Sequence, residues 1–261
     1  MTEADYLLVE STYGNRMHAK DSETELRNLI KETVARRGCL LIPAFAVGRT
    51  QDLIYTIRKM EDEGEIPAIP VHVDSPMGLE ATEIYCRHPE EHDFEMQQLS
   101  SQENCPISSR HMVVHKSPEQ SKSINQSKGP MVIISASGMA TGGRVLHHLK
   151  QRLPNLDTTV LFAGYQAEGT RGRLLQDGAK EVKLLGEVVP VRAQIKVIDG
   201  FSAHADQGEI LRWLGTFKQA PRMTYIVHGE PPAASALADS IRERFKWKVE
   251  IAKYQQKVAL S

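Results

Sequence analysis

The chain has 261 residues, 41 % apolar and 25 % charged, which suits an ordinary globular protein with room for one or two cores. Its formal net charge of -1 excludes a globally basic nucleic-acid binder, so any phosphate recognition must come from a local patch. No apolar run approaches the roughly 18 residues that a membrane-spanning helix needs. Residues 1–10 also lack the basic start of a signal peptide.

The cysteine content adds a prediction about the compartment. Cys39, Cys86 and Cys105 are too few and too scattered for a disulfide framework or a cysteine-based zinc site. A small buried side chain is the simpler explanation of such residues. We therefore expect a reducing, cytoplasmic environment and no membrane segment.

Strands and helices alternate along most of the chain, which predicts the α/β class. The predicted strands are 5–9, 39–42, 71–73, 131–135, 159–163, 189–197, 224–227 and 247–251. The predicted helices are 49–60, 78–86, 144–153, 169–176, 207–217, 233–245 and one around Leu26–Val34, which a capping box from Ser22 to Glu25 would start. Residues 90–129 are polar and weakly periodic, so we expect a long surface excursion there.

Two of the predicted strand ends carry a histidine in a turn. These segments are 201–206 (FSAHAD) and 225–230 (YIVHGE). Ser202 and Asp206 could each cap the helix that follows, and a single histidine at a strand end is more often an ordinary polar residue than a ligand. Two such histidines, with Asp5 opening another strand, favour a functional site because α/β folds build sites in these loops.

Seven segments together resemble the β-CASP family of nucleic-acid hydrolases, which have a metallo-β-lactamase fold. They are 5–14 (DYLLVESTYG), 42–49 (IPAFAVGR), 73–77 (VDSPM), 135–139 (SASGM), 164–170 (GYQAEGT) and the two histidine segments. The set spans nearly the whole chain and is similar to the RNA-processing branch. The resemblance implies an α/β protein in which a β-CASP domain, residues 23–197, is inserted in an αββα-type metallo-β-lactamase domain. Residues 1–22 and 198–261 would then be the only parts of that second domain present.

The resemblance also assigns roles residue by residue. Asp5 matches an acid that bridges two zinc ions, and His228 matches a terminal metal ligand. His204 matches a catalytic histidine that stabilises or protonates the leaving group. Glu23 matches the acid that supports this histidine, with Glu25 as a neighbouring alternative. Two metal ions about 3.5–4 Å apart suit phosphodiester hydrolysis because they activate water and stabilise charge on the phosphoryl oxygens.

Other residues are expected around this chemistry. Glu10, Ser11 and Thr12 are expected to frame the site without reacting. Glycine-rich turns that lead into helices can bind phosphate through backbone N–H groups, although one such turn alone is weak evidence. The residues predicted to contact phosphate or RNA are Ser137, Gly138, Arg144, Arg171 and Ser202.

One family motif is missing. His-x-His-x-Asp-His, which carries most of the zinc ligands, does not occur in the sequence, and Asp5 and His228 alone are too few to hold zinc well. We therefore expect an N-terminally truncated chain that is incomplete or inactive by itself, with one sheet face exposed and a tendency to self-associate. The leading hypothesis is a metal-dependent ribonuclease that is homodimeric. The alternatives are a non-catalytic RNA-binding or scaffolding module and a small-molecule hydrolase of the same fold. A serine hydrolase is disfavoured because no Gly-x-Ser-x-Gly occurs.

Overall fold

A computed structural model describes residues 3–100, 105 and 107–260. The chain forms two compact units. Unit 1 comprises Met1–Ala19 and Ala203–Ser261, and unit 2 comprises Lys20–Ser202. The chain thus leaves unit 1 and returns to it, at positions a few residues away from the predicted boundaries at 22 and 197. Within the described residues, no helix is long and apolar enough to span a membrane.

The described strands and helices confirm the α/β class. The strands are β1 (Tyr6–Glu10), β2 (Cys39–Pro43), β3 (Val71–Asp74), β4 (Met112–Val114), β5 (Met131–Ser135), β6 (Thr158–Phe162), β7 (Glu181–Leu184), β8 (Glu187–Pro190), β9 (Gln194–Val197), β10 (Met223–Val227) and β11 (Val249–Ile251). The helices are α1 (Ser22–Ala35), α2 (Arg49–Asp62), α3 (Pro76–Arg87), α4 (Phe94–Ser100), α5 (Pro118–Gln126), α6 (Val145–Arg152), α7 (Arg171–Gln176), α8 (Gln207–Leu214) and α9 (Pro231–Phe245). Short 3-10 helices lie at Pro89–Glu91 and Asp199–Phe201.

Unit 1 is built on a parallel sheet in the order β1-β10-β11. Side chains alternate across β1, so Leu7 and Val9 join Ile226 in a core shared with α8 and α9. Leu8 points to the other face and is 66 % exposed.

Unit 2 contains a six-stranded parallel sheet in the order β4-β3-β5-β2-β6-β9 and a separate antiparallel hairpin of β7 and β8. Strands β2, β5 and β6 are buried along their whole length, as expected when helices cover both faces of a parallel sheet. Alternate residues of β2 enter different cores: Leu40 and Ile42 pack in one, while Cys39 and Leu41 pack in the other.

Three local predictions were wrong. Residues 189–197 do not form one strand, because the chain leaves the hairpin at Pro190 and enters the six-stranded sheet only at Gln194. Helix α1 has no capping box: Asp21 is its N-cap, and no side chain accepts a capping hydrogen bond. Residues 90–129 hold α4, β4 and α5, although 101–104 and 106 lie outside the described residues.

The cysteine prediction also needs correction. Cys86, at the end of α3, and Cys105 form a disulfide with a Cα–Cα distance of 5.3 Å, and only Cys39 is a free, buried cysteine. The two cysteines are separated by 19 residues. Their number excluded a multi-bridge framework but could not exclude one bridge, which depends on how the chain returns to α3.

Candidate active site at the ends of two parallel strands

The histidine segments meet at one edge of the unit 1 sheet. Strands β1 and β10 pair in parallel with Glu10 opposite Val227, so the loops that follow both strands emerge side by side. The pairing continues past the strands, since Ser11 N donates to His228 O at 3.2 Å. Ser11 Oγ also donates to Val227 O at 2.9 Å. These bonds bring Thr12 beside His228, although 216 positions separate them in sequence.

Four side chains form the centre of the site. Glu10 Oε1 lies 3.4 Å from His204 Nδ1. Thr12 Oγ1 lies 3.3 Å from His204 Nδ1 and 3.1 Å from His228 Nδ1, so one hydroxyl contacts both rings. The two imidazoles stack with centroids 5.2 Å apart and an interplanar angle of 23°. A hydroxyl can donate to one nitrogen and accept from the other, so Thr12 can hold the rings in complementary tautomers.

The carboxylate of Glu10 is itself held in place. The backbone N–H of Thr12 donates to Glu10 Oε2 at 2.7 Å, which leaves Oε1 directed at His204. A carboxylate that contacts Nδ1 of a histidine restrains the orientation of the ring. Glu10, rather than Glu23, is thus the described carboxylate that contacts His204.

The backbone around His204 is fixed by the start of α8. Asp206 is the N-cap and forms a capping box with Glu209. The other oxygen of Asp206 accepts from His18 N at 3.0 Å, and His18 Nε2 donates to His204 O at 2.8 Å. Burial would raise the pKa of Asp206, but hydrogen bonds from the backbone N–H groups of His18 and Glu209 outweigh it and hold that pKa below its usual value. Asp206 is thus a hydrogen-bonded carboxylate that links the start of α8 to His18, which in turn contacts the backbone of His204.

The donor set fits a zinc ion. Glu10, His204 and His228 each offer one ligand atom, and these atoms all lie within 4.8 Å of one another. Two imidazoles and one carboxylate are the three protein ligands typical of a catalytic zinc site, which keeps a fourth position open. No other such group of three occurs among the residues that the structure describes.

The structure does not bring Asp5 to this site. Asp5 precedes β1, whereas Glu10 ends it, and at about 3.3 Å per residue the two are separated by roughly 16 Å. Asp5 pairs instead with Arg222 at 3.2 Å, and its side chain is 75 % exposed. Asp5 therefore lies at the opposite end of β1 from the histidines, whereas Glu10 lies beside them at the carboxyl end, where parallel sheets gather functional groups.

Glu23 belongs to unit 2, in the first turn of α1. Its carboxylate is 60 % exposed and lies 3.9 Å from Lys59 Nζ. Its exposure and this contact are typical of a charged residue on the surface of a helix. The described carboxylate beside His204 is that of Glu10.

The predicted RNA-contacting arginines already have partners within unit 2. Arg144 Nη1 donates to Asp74 Oδ1 at 2.7 Å, and both terminal nitrogens donate to backbone carbonyls. Arg171 Nε donates to Lys183 O at 2.9 Å, and Nη1 donates to Thr141 O at 3.2 Å. Both guanidinium groups therefore form hydrogen bonds within unit 2, and these bonds do not require RNA.

The remaining three predicted RNA contacts also lie in unit 2. Ser137 Oγ accepts from Thr141 N at 3.1 Å and closes the turn after β5. Gly138 is required by packing, since a Cβ there would lie 2.9 Å from the Phe45 ring. Ser202 ends the 3-10 helix Asp199–Phe201. RNA contact by these residues remains a prediction.

The chain is similar to known domain families and to named proteins. Residues 50–175 match the model of the Beta-Casp domain, and residues 188–252 match the model of the Zn-dependent metallo-hydrolase RNA specificity domain. Ribonuclease TTHA0252 of Thermus thermophilus is 36 % identical over 257 residues, which are 98 % of this chain and 58 % of the relative.

Two archaeal relatives are similar over most of the chain. Transcription termination factor FttA of Methanosarcina mazei is 34 % identical over 250 residues, covering 92 % of this chain and 39 % of the relative. FttA of Methanocaldococcus jannaschii is 35 % identical with the same coverage of 92 % and 39 %. The chain thus spans between two fifths and three fifths of these relatives. The two domain models, the relatives and the strand-end histidines together establish that the chain belongs to the β-CASP family of Zn-dependent metallo-hydrolases.

Proposed function

We propose that this chain takes part in the metal-dependent hydrolysis of RNA phosphodiester bonds. The observation that carries the proposal is the convergence of Glu10, His204 and His228 at the carboxyl ends of β1 and β10. RNA is favoured as the substrate because the Thermus relative is named a ribonuclease.

Each residue has a distinct role in this proposal. His228 and Glu10 supply metal ligands. His204 donates a proton to the departing oxygen, since imidazole exchanges protons near neutral pH. Glu10, at 3.4 Å from His204 Nδ1, also orients the ring. Thr12 holds both histidines through one hydroxyl.

Zinc bound at these ligands would activate a water molecule and stabilise negative charge on the phosphoryl oxygens. We propose one ion, held by His228 and Glu10 with His204 beside it as the proton donor, because two ions would need more ligands than this group provides. The second ion expected from the family resemblance would need ligands from outside this group.

The test combines metal content with RNA cleavage. Zinc per chain is measured by elemental analysis after dialysis, and cleavage is followed with a 5′-labelled single-stranded RNA. We expect about one zinc per chain, loss of zinc in His228→Ala, and a fall in cleavage of about 10²-fold or more in His204→Ala. The control is His147→Ala, because His147 is an exposed residue of α6 in unit 2. Cleavage that is unchanged in His204→Ala would overturn the proposal.

A second function has one observation in its favour. Three ligand groups are too few for a dinuclear centre, which suits a non-catalytic RNA-binding module. Binding of the same RNA without zinc and without cleavage, unaffected by His228→Ala, would support this module over the hydrolase.

A further inference from the structure

Unit 2 contains a cavity of about 480 Å³ among α2, α3, α4 and the 3-10 helix Pro89–Glu91. Sites for small molecules typically measure roughly 300–1,000 Å³. None of the residues discussed above as metal ligands or RNA contacts lines it. The cavity is therefore a second candidate site, built from other residues than those proposed for the hydrolysis.

The cavity has a largely apolar wall. Ile84, Met96 and Ile107 contribute aliphatic and thioether surface, and Tyr55 and Tyr85 contribute aromatic rings. Ile84 is 57 % exposed and Tyr85 is 38 % exposed. A ligand with an apolar body would remove this surface from water, which is favourable.

One buried polar group in the wall lacks a partner. Gln51 is only 3 % exposed, and its Nε2 donates to Gly78 O at 3.0 Å and to Thr82 Oγ1 at 2.8 Å. Because carbonyl oxygens accept, these bonds fix the direction of the amide. Its Oε1 then has no donor among the described residues. A buried acceptor of this kind is stabilised by a ligand that donates a hydrogen bond.

The charged groups of the cavity are mainly carboxylates, contributed by Asp52, Glu91 and Asp93. Burial raises the pKa of Asp52, and Arg49, whose Nη1 lies 3.6 Å from the carboxylate, only partly opposes this shift. A nearby positive charge would stabilise the ionised form. An anionic group such as a phosphate would instead be repelled.

We propose that this cavity binds a small organic cation, with an amine or guanidinium head on an aliphatic or aromatic body. The head donates hydrogen bonds to the carboxylates, and the body packs on Ile84 and Met96. The rings of Tyr55 and Tyr85 add cation–π attraction. The acceptors, the apolar wall and the volume all fit this class. The phosphates of a nucleic acid would instead be repelled by the carboxylates.

The probes are three compounds of one shape and different charge: 4-phenylbutylamine, 4-phenylbutanol and 4-phenylbutyrate. Each is titrated into the intact chain by calorimetry at pH 8, where imidazole groups in general carry no charge. We expect the amine to bind at least about tenfold more tightly than the alcohol and the carboxylate not to bind. Equal affinities for amine and alcohol, or no binding of the amine, would overturn the proposal.

Variants connect the binding to the cavity. Asp52→Asn should weaken the amine about fivefold and leave the alcohol unchanged, because only the charge is removed. Ile84→Ser should weaken both compounds. Asp177→Asn is the matched control, because this aspartate is 56 % exposed and pairs with Arg173 outside the cavity. Amine affinity that survives both cavity substitutions would contradict the assignment, provided that thermal unfolding shows all variants folded.

Discussion

His228 follows β10 in a left-handed backbone conformation, with a φ of 49°. Few non-glycine residues adopt this region, and those that do cluster at functional sites where the surroundings hold them. The next residue, Gly229, lies against β1: a Cβ there would be 2.2 Å from Ser11 Oγ and 2.5 Å from Ser11 O. The glycine thus permits the close approach that brings His228 to Thr12.

Gly229→Ala should therefore displace the loop that carries His228. We expect a loss of unfolding free energy of about 2 kcal/mol or more and a parallel loss of zinc affinity, because the backbone of Ser11 cannot move without breaking the strand pairing. Urea denaturation and zinc titration measure the two effects. Gly142→Ala is the control, since nothing lies within 4 Å of a Cβ at that position. Equal behaviour of the two variants would contradict this account.

Among single residues, the sequence placed both histidines and Glu10 at the candidate site, but it gave Glu10 only a framing role. His204 and His228 could be found because each follows a predicted strand and stands in a segment that resembles the family. Glu10 could have been chosen over Asp5 by the rule that sites gather at the carboxyl ends of parallel strands, since Glu10 ends β1. The contacts of Thr12 and His18 depend on tertiary distances that one sequence does not contain.

Among the elements, β3, α5 and α6 are joined by one buried acid. Asp74 is fully buried, and it accepts from Arg144 Nη1 and from His148 Nε2, each at 2.7 Å. Ser121 also donates to it, and His148 Nδ1 lies 2.9 Å from Asn125 Oδ1. Burial alone would raise the pKa of Asp74, but the hydrogen bonds from His148, Ser121 and Arg144 hold it below its usual value.

Removing this acid should destabilise unit 2 strongly. Asp74→Ala leaves Arg144 and His148 without their shared acceptor, so we expect a loss of about 3–5 kcal/mol in unfolding free energy. Asp177→Ala removes a surface pair with Arg173 at 3.0 Å and should cost about 0–1 kcal/mol. Denaturant melts of the two variants compare a buried and an exposed aspartate directly. Similar losses in both would show that the Asp74 network is not structural.

The two faces of strand β1 differ in exposure, and this difference leads to a second prediction. Leu8 is 66 % exposed and Leu7 is 6 % exposed, although they are neighbours in one strand. We propose that copies of the chain associate through this open face, so Leu8→Ser should reduce self-association in sedimentation velocity without loss of stability. Leu7→Ser should destabilise unit 1 by about 2–4 kcal/mol. A parent chain that is monomeric, or self-association unchanged in Leu8→Ser, would contradict this proposal.

For the molecule as a whole, a fall in pH should lower the stability of the fold through a histidine pair in unit 2. Burial, followed by the charges of His115 and Arg152, lowers the pKa of His72 from its ordinary value of 6.5 to about 4. His72 Nδ1 lies 2.9 Å from His115 Nε2, and burial also lowers the pKa of His115. Between pH 6.5 and about 4, His72 therefore binds a proton more readily in the unfolded chain than in the folded one. The free energy of unfolding accordingly falls as the pH drops through this range.

Because His72 is only half-buried, we discount this effect for solvent and expect His72 to contribute a loss of about 1 kcal/mol at pH 5 relative to pH 7.5. His72→Asn should make the decline shallower over this range. Asp74 does not contribute there, since its pKa lies below 3.8 and its stabilisation is lost only in stronger acid. Urea melts of both proteins at the two pH values provide the measurement, and an identical decline in both would exclude His72 as its source.

Much of the architecture follows from the sequence pattern alone. The buried strands β2, β5 and β6 were predicted almost residue for residue, because continuous apolar runs between helices are typical of a parallel sheet. The split of residues 189–197 into β8 and β9 was not predicted, since alternation in sequence does not reveal which sheet each half joins. The Cys86–Cys105 bridge was missed for a related reason, as it depends on spatial proximity.

The pairing of β1 with β10 joins Tyr6 to Met223, and all of unit 2 lies between them in the chain. During synthesis β1 therefore leaves the ribosome long before its partner exists, whereas every strand of the six-stranded sheet is complete by Val197. A nascent chain halted before β10 can contain a folded unit 2 but cannot bring Glu10, His204 and His228 together. The candidate metal site can therefore form only after the chain of unit 2 is complete, and Leu7 and Val9 lack their core partners until then.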